Sequence, residues 1–257
     1  MMANTLFLRL EGPLQSWGER GRWSIRDTAP YPTKSGVVGL LACALGYNQD
    51  EPIRQLSQQI EMGVRIDKPG VMIDDYHTVG GGYDTPQLLT AEGKAKKTPG
   101  GQPHTEITER AYLHDASFLV AVRSNTTTIE QLANAVQNPH WVIYLGRKSC
   151  PPSRPLFEGV EEHTSVESAL QSWNWYKPET DEEKTMQKPA IVGSSVTQGA
   201  IRQRHEIISR SKRLYGHHYL QQISLTVQIV PAFPPFYSKQ TSKVSEAFKV
   251  SHEQEAS

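Results

Sequence analysis

Apolar residues recur with two different spacings along positions 6–145, and the order of these spacings restricts the fold more than any other feature. Leu6, Leu8 and Leu10 alternate with other residues, which predicts a strand that ends at Gly12-Pro13. The later predicted strands are short and rich in apolar or β-branched residues: 63–67, 71–74, 110–123 and 141–145. Helical patterns lie between the strands, at 36–45, 50–60 and 129–137.

The order of these elements predicts the fold class. Strand, helix, strand, strand, helix, strand is the order found in ferredoxin-like, or RRM-like, proteins. We therefore predict an α+β fold in which helices pack on an antiparallel sheet, with the RRM-like domain at 1–160. A smaller C-terminal part with strands is predicted for 161–230, and a loose tail for 231–257.

A segment of different composition interrupts the predicted domain at about 78–110. Between positions 80 and 109 apolar residues are few, Gly, Pro and Thr are frequent, and three lysines lie near the middle: Lys94, Lys96 and Lys97. A long irregular insertion inside a compact domain is usually functional or disordered. Because strands are predicted on both sides, we interpret the segment as an arm, or thumb, that closes over a ligand. A flexible loop is the alternative.

Charge and cysteine content exclude several classes of protein. The chain has 27 Lys and Arg against 27 Asp and Glu, so contact with nucleic acid requires a local basic surface. Two cysteines form neither a disulfide framework nor a CxxC metal site. The His217-His218 pair lacks the Cys or carboxylate neighbours of a metal site. We expect no cofactor, no metal and no membrane contact, and a cytoplasmic location, since this cysteine usage fits a reducing cytosol.

Positions 141–157 combine a predicted strand end with a basic loop. Gly146 ends the strand, and three prolines between 151 and 155 exclude a helix and stiffen the exit. The loop brings together a ring, two cations and a hydroxyl: Tyr144, Arg147, Lys148 and Ser149. Such donors suit phosphate oxygens, and a tyrosine ring can stack on a base. The alternative is a solvated surface turn.

Two further segments have features of a nucleic-acid site. The stretch 14–26, LQSWGERGRWSIR, interleaves tryptophan with arginine, which suits single-stranded RNA. The alternative is a loop whose tryptophans pack under the first helix. Thr33 or Ser35 can cap that helix and Gly46 can end it. Free backbone N–H groups at the helix start, beside Lys34, predict a phosphate site.

Five stretches in series resemble one known family. LRLEGPLQSWG, PTKSGVVGLL, DYHTV, RAYLHDASFLVAV and YLGRKSCPPSRPLF are similar to the CasD family, the RAMP-type subunit of the type I-E CRISPR surveillance complex, Cascade. The resemblance covers most of residues 4–160 in the right order, and it weakens past about residue 165.

The resemblance implies a function in antiviral defence. It implies an RRM-like domain with an extended thumb and a variable C-terminal part, which caps Cascade and holds the 5′ handle of the guide RNA. The implied partners are this RNA, the CasC-type backbone subunit and the large subunit that reads the PAM; whether target DNA lies nearby stays open. A different subunit cuts the precursor RNA in this subtype, so the chain is expected to bind and not to cleave.

Eleven residues are carried over as candidates for RNA binding. The strand-end loop contributes Tyr144, Arg147, Lys148 and Ser149. The helix start contributes Lys34 and Ser35, and the segment after the first strand contributes Gln15, Trp17 and Arg22. Arg110 and Tyr112 stand at the base of the thumb.

The competing class is a metal-free endoribonuclease that processes precursor CRISPR RNA. Such cleavage needs a base for the 2′-hydroxyl proton and an acid for the leaving oxygen. In the predicted core His77 lies beside Tyr76, and His114 lies beside Asp115, but neither has a neighbouring lysine in the sequence. A DNA-binding regulator is a third class, but there is no helix-turn-helix pattern to support it.

Overall fold

The structure is a computed structural model that describes residues 4–19, 21, 24–82, 87–176, 184–194, 200–209, 212 and 214–230. Within them the protein is mixed α+β, which confirms the predicted class. The helices are α1 (Lys34–Leu45), α2 (Asp50–Gln59), α3 (Thr126–Gln137) and α4 (Val166–Ser172). The strands are β1 (Thr5–Gln15), β2 (Ile25–Arg26), β3 (Glu61–Lys68), β4 (Val71–Gly80), β5 (Thr105–Arg123), β6 (Phe157–Glu161), β7 (Trp175–Tyr176), β8 (Lys184–Gly193), β9 (Ile201–Ser209) and β10 (Leu214–Val230).

Two central strands organise the sheet. β1 and β5 pair antiparallel, and β6 and β3 flank them in the order β6-β1-β5-β3, with each neighbouring pair antiparallel. The ends of three predicted strands were wrong, including that of β4, which continues to Gly80 instead of ending at 74. β1 continues past Gly12-Pro13 because β5 extends the ladder to Gln15, opposite Leu113. β5 begins at Thr105 instead of 110 because β4 pairs with its outer half.

The first helix has the two predicted end signals. Thr33 Oγ1 accepts a hydrogen bond from the N–H of Gly36 at 3.3 Å, so Thr33 and not Ser35 is the N-cap. Gly46 follows the last turn with φ of 76°, the left-handed conformation that glycine adopts without strain. α1 packs with α2 and α3 on one face of the sheet, over Leu6, Leu8 and Leu10.

The predicted strand at 141–145 was wrong. The segment forms no ladder: Val142 is 84% exposed, and the N–H of Leu145 donates to the carbonyl of Cys150 at 2.7 Å. The place beside β1 is taken by β6, whose Val160 faces Leu6 in the register. Only two side chains of the segment, Ile143 and Leu145, are buried, so it anchors a loop instead of extending the sheet.

The opposite face of the sheet is also covered. α4 lies against β3, where a Cβ on Gly63 would meet Val166 at 2.4 Å, and Arg65 Nη1 donates to the carbonyl of Leu170 at 2.6 Å. A buried ion network fills the space beside it. Asp67 accepts from Arg9 at 2.5 Å and from Arg65 at 2.7 Å. All three side chains are at most 2% exposed.

Two carboxylates balance the buried guanidinium groups of this network. Arg9 Nε lies 3.8 Å from Glu158 Oε1. The partly exposed Arg154 side chain lies 2.7 Å from the same oxygen. Burial alone would raise the pKa of Asp67, but the charges of Arg9 and Arg65 hold that pKa below its usual value. The carboxylate therefore stays ionised in the folded chain at neutral pH.

The predicted insertion at about 78–110 is the outer part of a two-stranded arm that begins before it, at Val71. β4 pairs with the outer half of β5 from Val71 opposite His114 to Gly80 opposite Thr105. β2 lies on the other edge of β5 and pairs parallel with Glu109 and Arg110. Nearer the tip, the described chain is irregular, with isolated bridges between Leu89 and Ala95 and between Lys97 and Pro103.

The chain divides into two compact units. The first comprises Met1–Leu170 and Pro189–Ile223, and the second comprises Gln171–Lys188 and Ser224–Ser257. In the first unit β9 pairs antiparallel with the start of β10. In the second, β7 pairs parallel with Ile229 and Val230. The predicted tail at 231–257 lies outside the described residues, and no helix in the described part of the chain could span a membrane.

Candidate nucleic-acid interface

A tight loop at 145–150 presents the predicted basic residues. Gly146 has φ of 91°, the N–H of Cys150 donates to the carbonyl of Arg147 at 2.9 Å, and the N–H of Ser16 donates to the carbonyl of Leu145 at 3.0 Å. The Cys150 side chain is buried, and burial raises the pKa of its thiol. This anchor leaves Lys148 and Ser149 exposed, with Tyr144 half-buried.

Arg147 attaches this loop to the base of the arm. Its guanidinium donates to the carbonyl of Ala111 at 3.0 Å, and to those of Arg26 and Asp27 at 3.0 and 3.2 Å. The same group stacks over the ring of Tyr112, 4.6 Å from its centre. Because backbone oxygens take several of its donors, Arg147 positions the loop as well as contributing charge.

Four cations meet around this attachment: Arg26, Arg110, Arg147 and Lys148. Arg26 faces Arg110 across the parallel pairing of β2 with β5, and the Arg147 guanidinium reaches the carbonyl of Arg26. The Arg26 side chain is exposed; it belongs to the stretch 14–26 but not to the eleven candidates, so its position beside Arg110 was not predicted. A two-residue parallel pairing has no pattern by which a sequence could reveal it.

Three predicted RNA contacts are buried. Gln15 donates to the carbonyls of Leu10 and Ala116, and Trp17 Nε1 donates to Gln15 Oε1 at 3.1 Å. Tyr112 is 3% exposed, with its hydroxyl 3.3 Å from Ser149 Oγ. In the described chain these side chains therefore hold the loop and the arm base in position, and their contact with RNA stays a prediction. Arg22 lies outside the described residues.

The helix-start candidates lie against other elements. Lys34 lines a cavity of about 460 Å³ together with Glu61, Arg123, Glu167 and His218, and no residue of the Arg147 loop takes part in it. Ser35 Oγ lies 3.5 Å from the capping oxygen of Thr33. A phosphate site at Lys34 and Ser35 stays a prediction, separate from the loop.

The covered sheet limits where RNA can bind. RRM domains stack bases on aromatic residues of an open sheet face. Here α1, α2 and α3 cover one face, while α4 and the buried ion network lie on the other. Among the described residues, the edge at the arm base, where the four cations lie, is a basic surface that these helices leave uncovered.

The nuclease candidates have partial support. His77 Nε2 lies 2.6 Å from Asp75 Oδ2 on the arm. Asp115, next to His114, forms an exposed ion pair with Lys68, which supplies a lysine that is distant in sequence. Among the described residues, no group of three His, Cys, Asp or Glu could hold a metal ion.

Comparison with known proteins identifies the family of this chain and a curated relative. The family model described as CRISPR-associated protein (Cas_Cas5) matches residues 5–215, so the chain belongs to this family. The CRISPR system Cascade subunit CasD of Escherichia coli (strain K12) is 38% identical over 176 residues, which are 66% of this chain and 76% of that protein. The predicted resemblance to CasD is thereby confirmed.

Two solved structures share the fold. A chain of a structure described as CRISPR RNA-guided surveillance complex is 29% identical, with a TM-score of 0.72, and the match covers 94% of this chain and 99% of that one. A structure described as Crystal structure of Cas protein is 30% identical, with a TM-score of 0.65, over 89% and 100% of the two chains.

Proposed function

We propose that this protein is a subunit of a type I-E CRISPR Cascade complex that binds and caps the 5′ handle of the guide RNA without cutting it. Its proposed neighbours are the CasC-type backbone subunit and the large PAM-reading subunit, in the cytoplasm. The relationship to CasD and to a surveillance-complex chain supports this role. We also propose that the antiparallel order β6-β1-β5-β3 is a ferredoxin-like core.

The observation that carries the proposal is the cationic edge at the arm base. Lys148 and Ser149 are exposed on a loop that Gly146, Cys150 and Arg147 hold in place. A fixed loop loses little conformational freedom when RNA binds, so little of the binding free energy is lost in ordering it. The chain is neutral overall, so this local surface supplies the phosphate contacts.

Lys148→Ala is expected to weaken handle-RNA binding about tenfold, because a hydrogen bond to a charged group contributes roughly 1.5–3 kcal/mol. Titration at several salt concentrations should also show the slope of log affinity against log salt falling by about one. Adding Arg147→Ala should further release the subunit from assembled guide RNA. Arg54→Ala removes the same charge from α2 and is the control. Equal binding by Lys148→Ala and the control contradicts the proposal.

Purified protein is expected to leave precursor repeat RNA uncut. The His77 imidazole lies against Asp75 on the arm, away from any lysine in the described contacts, which leaves a proton acceptor without an assembled acid. Gel analysis after incubation without added metal measures this. Cleavage that His77→Ala or His114→Ala abolishes would establish the endoribonuclease instead.

A further inference from the structure

The arm has two faces of different chemistry. Side chains alternate between these faces along each strand, and directly paired residues share a face. Arg110 pairs with Arg26 on β2, and the Arg147 guanidinium stacks over Tyr112, which follows Arg110 on the same face. That face therefore carries the cations. The opposite face carries large apolar side chains, which form the apolar arm face: Ile25, Met72, Tyr76 and Ile107.

The apolar arm face is open to solvent in the isolated chain. Its four side chains are between 46% and 60% exposed. Tyr76 and Ile25 lie beside Glu109 on the two sides of β5, and Ile107 comes two residues before Glu109, so these three apolar side chains are neighbours. Exposed apolar side chains that lie together mark binding surfaces, and tyrosine and methionine are enriched at the centre of protein interfaces.

The charges of the apolar arm face select a protein as its ligand. Asp74 and Glu109 lie on this face and are exposed. None of its positions in the described pairing of β4 and β2 with β5 carries a lysine, an arginine or a histidine. RNA phosphates and anionic lipid headgroups would meet carboxylates there and no cation. The complementary surface is a protein that is apolar at the centre and carries lysine or arginine at the edge.

The size of the apolar arm face limits the kind of complex that it can form. β4 has ten residues. With a rise of about 3.3 Å per residue and a strand spacing of about 4.8 Å, two strands present roughly 300 Å². A stable complex buries about 800 Å² on each partner, so this face alone is too small to hold one. A second copy of the chain would also bring its own Asp74 and Glu109 against these carboxylates.

We propose that the apolar arm face docks on a neighbouring protein subunit that binds the same guide RNA, while the cationic face of the arm contacts that RNA. The proposal rests on the proposed function, because the RNA supplies the second attachment. A shared RNA raises the effective concentration of the two proteins, so a small contact surface is sufficient. The arm thus separates its contacts, with protein on one face and nucleic acid on the other.

Two measurements on each full-length variant test the proposal. Co-purification with the other Cascade subunits and guide RNA measures incorporation, and fluorescence anisotropy measures binding of handle RNA alone. Ile107→Ser should lower incorporation at least about fivefold, the usual loss when a central interface side chain is truncated, and should leave handle-RNA binding unchanged. Glu109→Lys should also lower incorporation, because it places a cation against the basic edge of the partner.

Val79→Ser is the matched control. Val79 is 45% exposed and Ile107 is 46% exposed, but Val79 pairs with Glu106 on the opposite face of the arm. Val79→Ser should incorporate as the wild type does. Thermal unfolding of Ile107→Ser should match that of the wild type, because the replaced side chain is exposed, and so exclude misfolding as the cause of a loss.

Four results would overturn the proposal. They are normal incorporation of Ile107→Ser, an equal loss in Val79→Ser, tighter handle-RNA binding together with better incorporation of Glu109→Lys, and dimerisation of the isolated wild type that Ile107→Ser abolishes. The third would assign the face to RNA, and the fourth would assign it to a second copy. If the wild type neither joins the complex nor binds handle RNA, the proposed function itself fails.

Discussion

Replacing Asp67 with asparagine is expected to lower the free energy of unfolding by about 3–5 kcal/mol, the usual effect of removing one partner from a buried ion pair. The Asp67 carboxylate receives hydrogen bonds from Arg9 and Arg65, and all three side chains are buried. Asparagine fits the same space but leaves two buried guanidinium groups with Glu158 as their main remaining anion. Urea denaturation followed by circular dichroism measures the change.

Two comparisons separate this effect from a general loss of charge. Asp115→Asn breaks the exposed pair with Lys68 and should cost less than about 1 kcal/mol. The folded-state pKa of Asp67 lies below its usual 3.8, so its contribution is present above that value and is lost as the pH falls through the lower, folded-state pKa. The stability gap between wild type and Asp67→Asn should therefore narrow below pH 3.8. A gap that widens in acid contradicts the assignment.

Gly146→Ala is expected to weaken handle-RNA binding about tenfold although it changes no charge, because it displaces the loop that holds Lys148, whose hydrogen bond to RNA contributes that much. An added Cβ at Gly146 would lie 1.6 Å from the carbonyl oxygen of Ser16. The loop must then move, and Arg147 loses its bonds to the carbonyls of Arg26, Asp27 and Ala111. RNA titration and thermal unfolding of the purified variant measure both consequences.

Gly93→Ala is the matched control for the backbone conformation. Gly93 also has a positive φ, 77°, but no atom lies within 4 Å of the position that its Cβ would take. It should carry only the strain of a left-handed alanine, about 1–2 kcal/mol, and bind RNA as the wild type does. If Gly146→Ala behaves like Gly93→Ala, the position of the loop is not what RNA binding requires.

The first three helices were predictable because their signals are local. Asn125 caps α3 and accepts from the N–H of Thr128 at 2.9 Å, and the apolar spacing of the helix matches its buried face. The segment 141–145 has the composition of a strand, but strand formation requires a free neighbouring edge. β6 occupies that edge, from a position further along the chain, and no local pattern reports this competition.

The features of the candidate site were likewise predictable from the sequence only in part. The exposure of Lys148 and Ser149 follows from a short run that contains glycine and prolines, so the sequence alone predicted it. The burial of Trp17 depends on Gly36, whose added Cβ would lie 2.8 Å from the indole ring. The acceptors of Arg147 come from positions about 36 and 120 residues away. Contacts across such separations depend on the folded sheet, and no regular spacing in the sequence predicts them.

The continuity of β5 has a consequence for assembly. Its inner half, 116–122, is buried between β1 and β3, and its outer half forms the arm. Core and arm are therefore parts of one polypeptide strand, with no linker between them. Any partner that binds the arm is therefore joined to the centre of the sheet through continuous backbone.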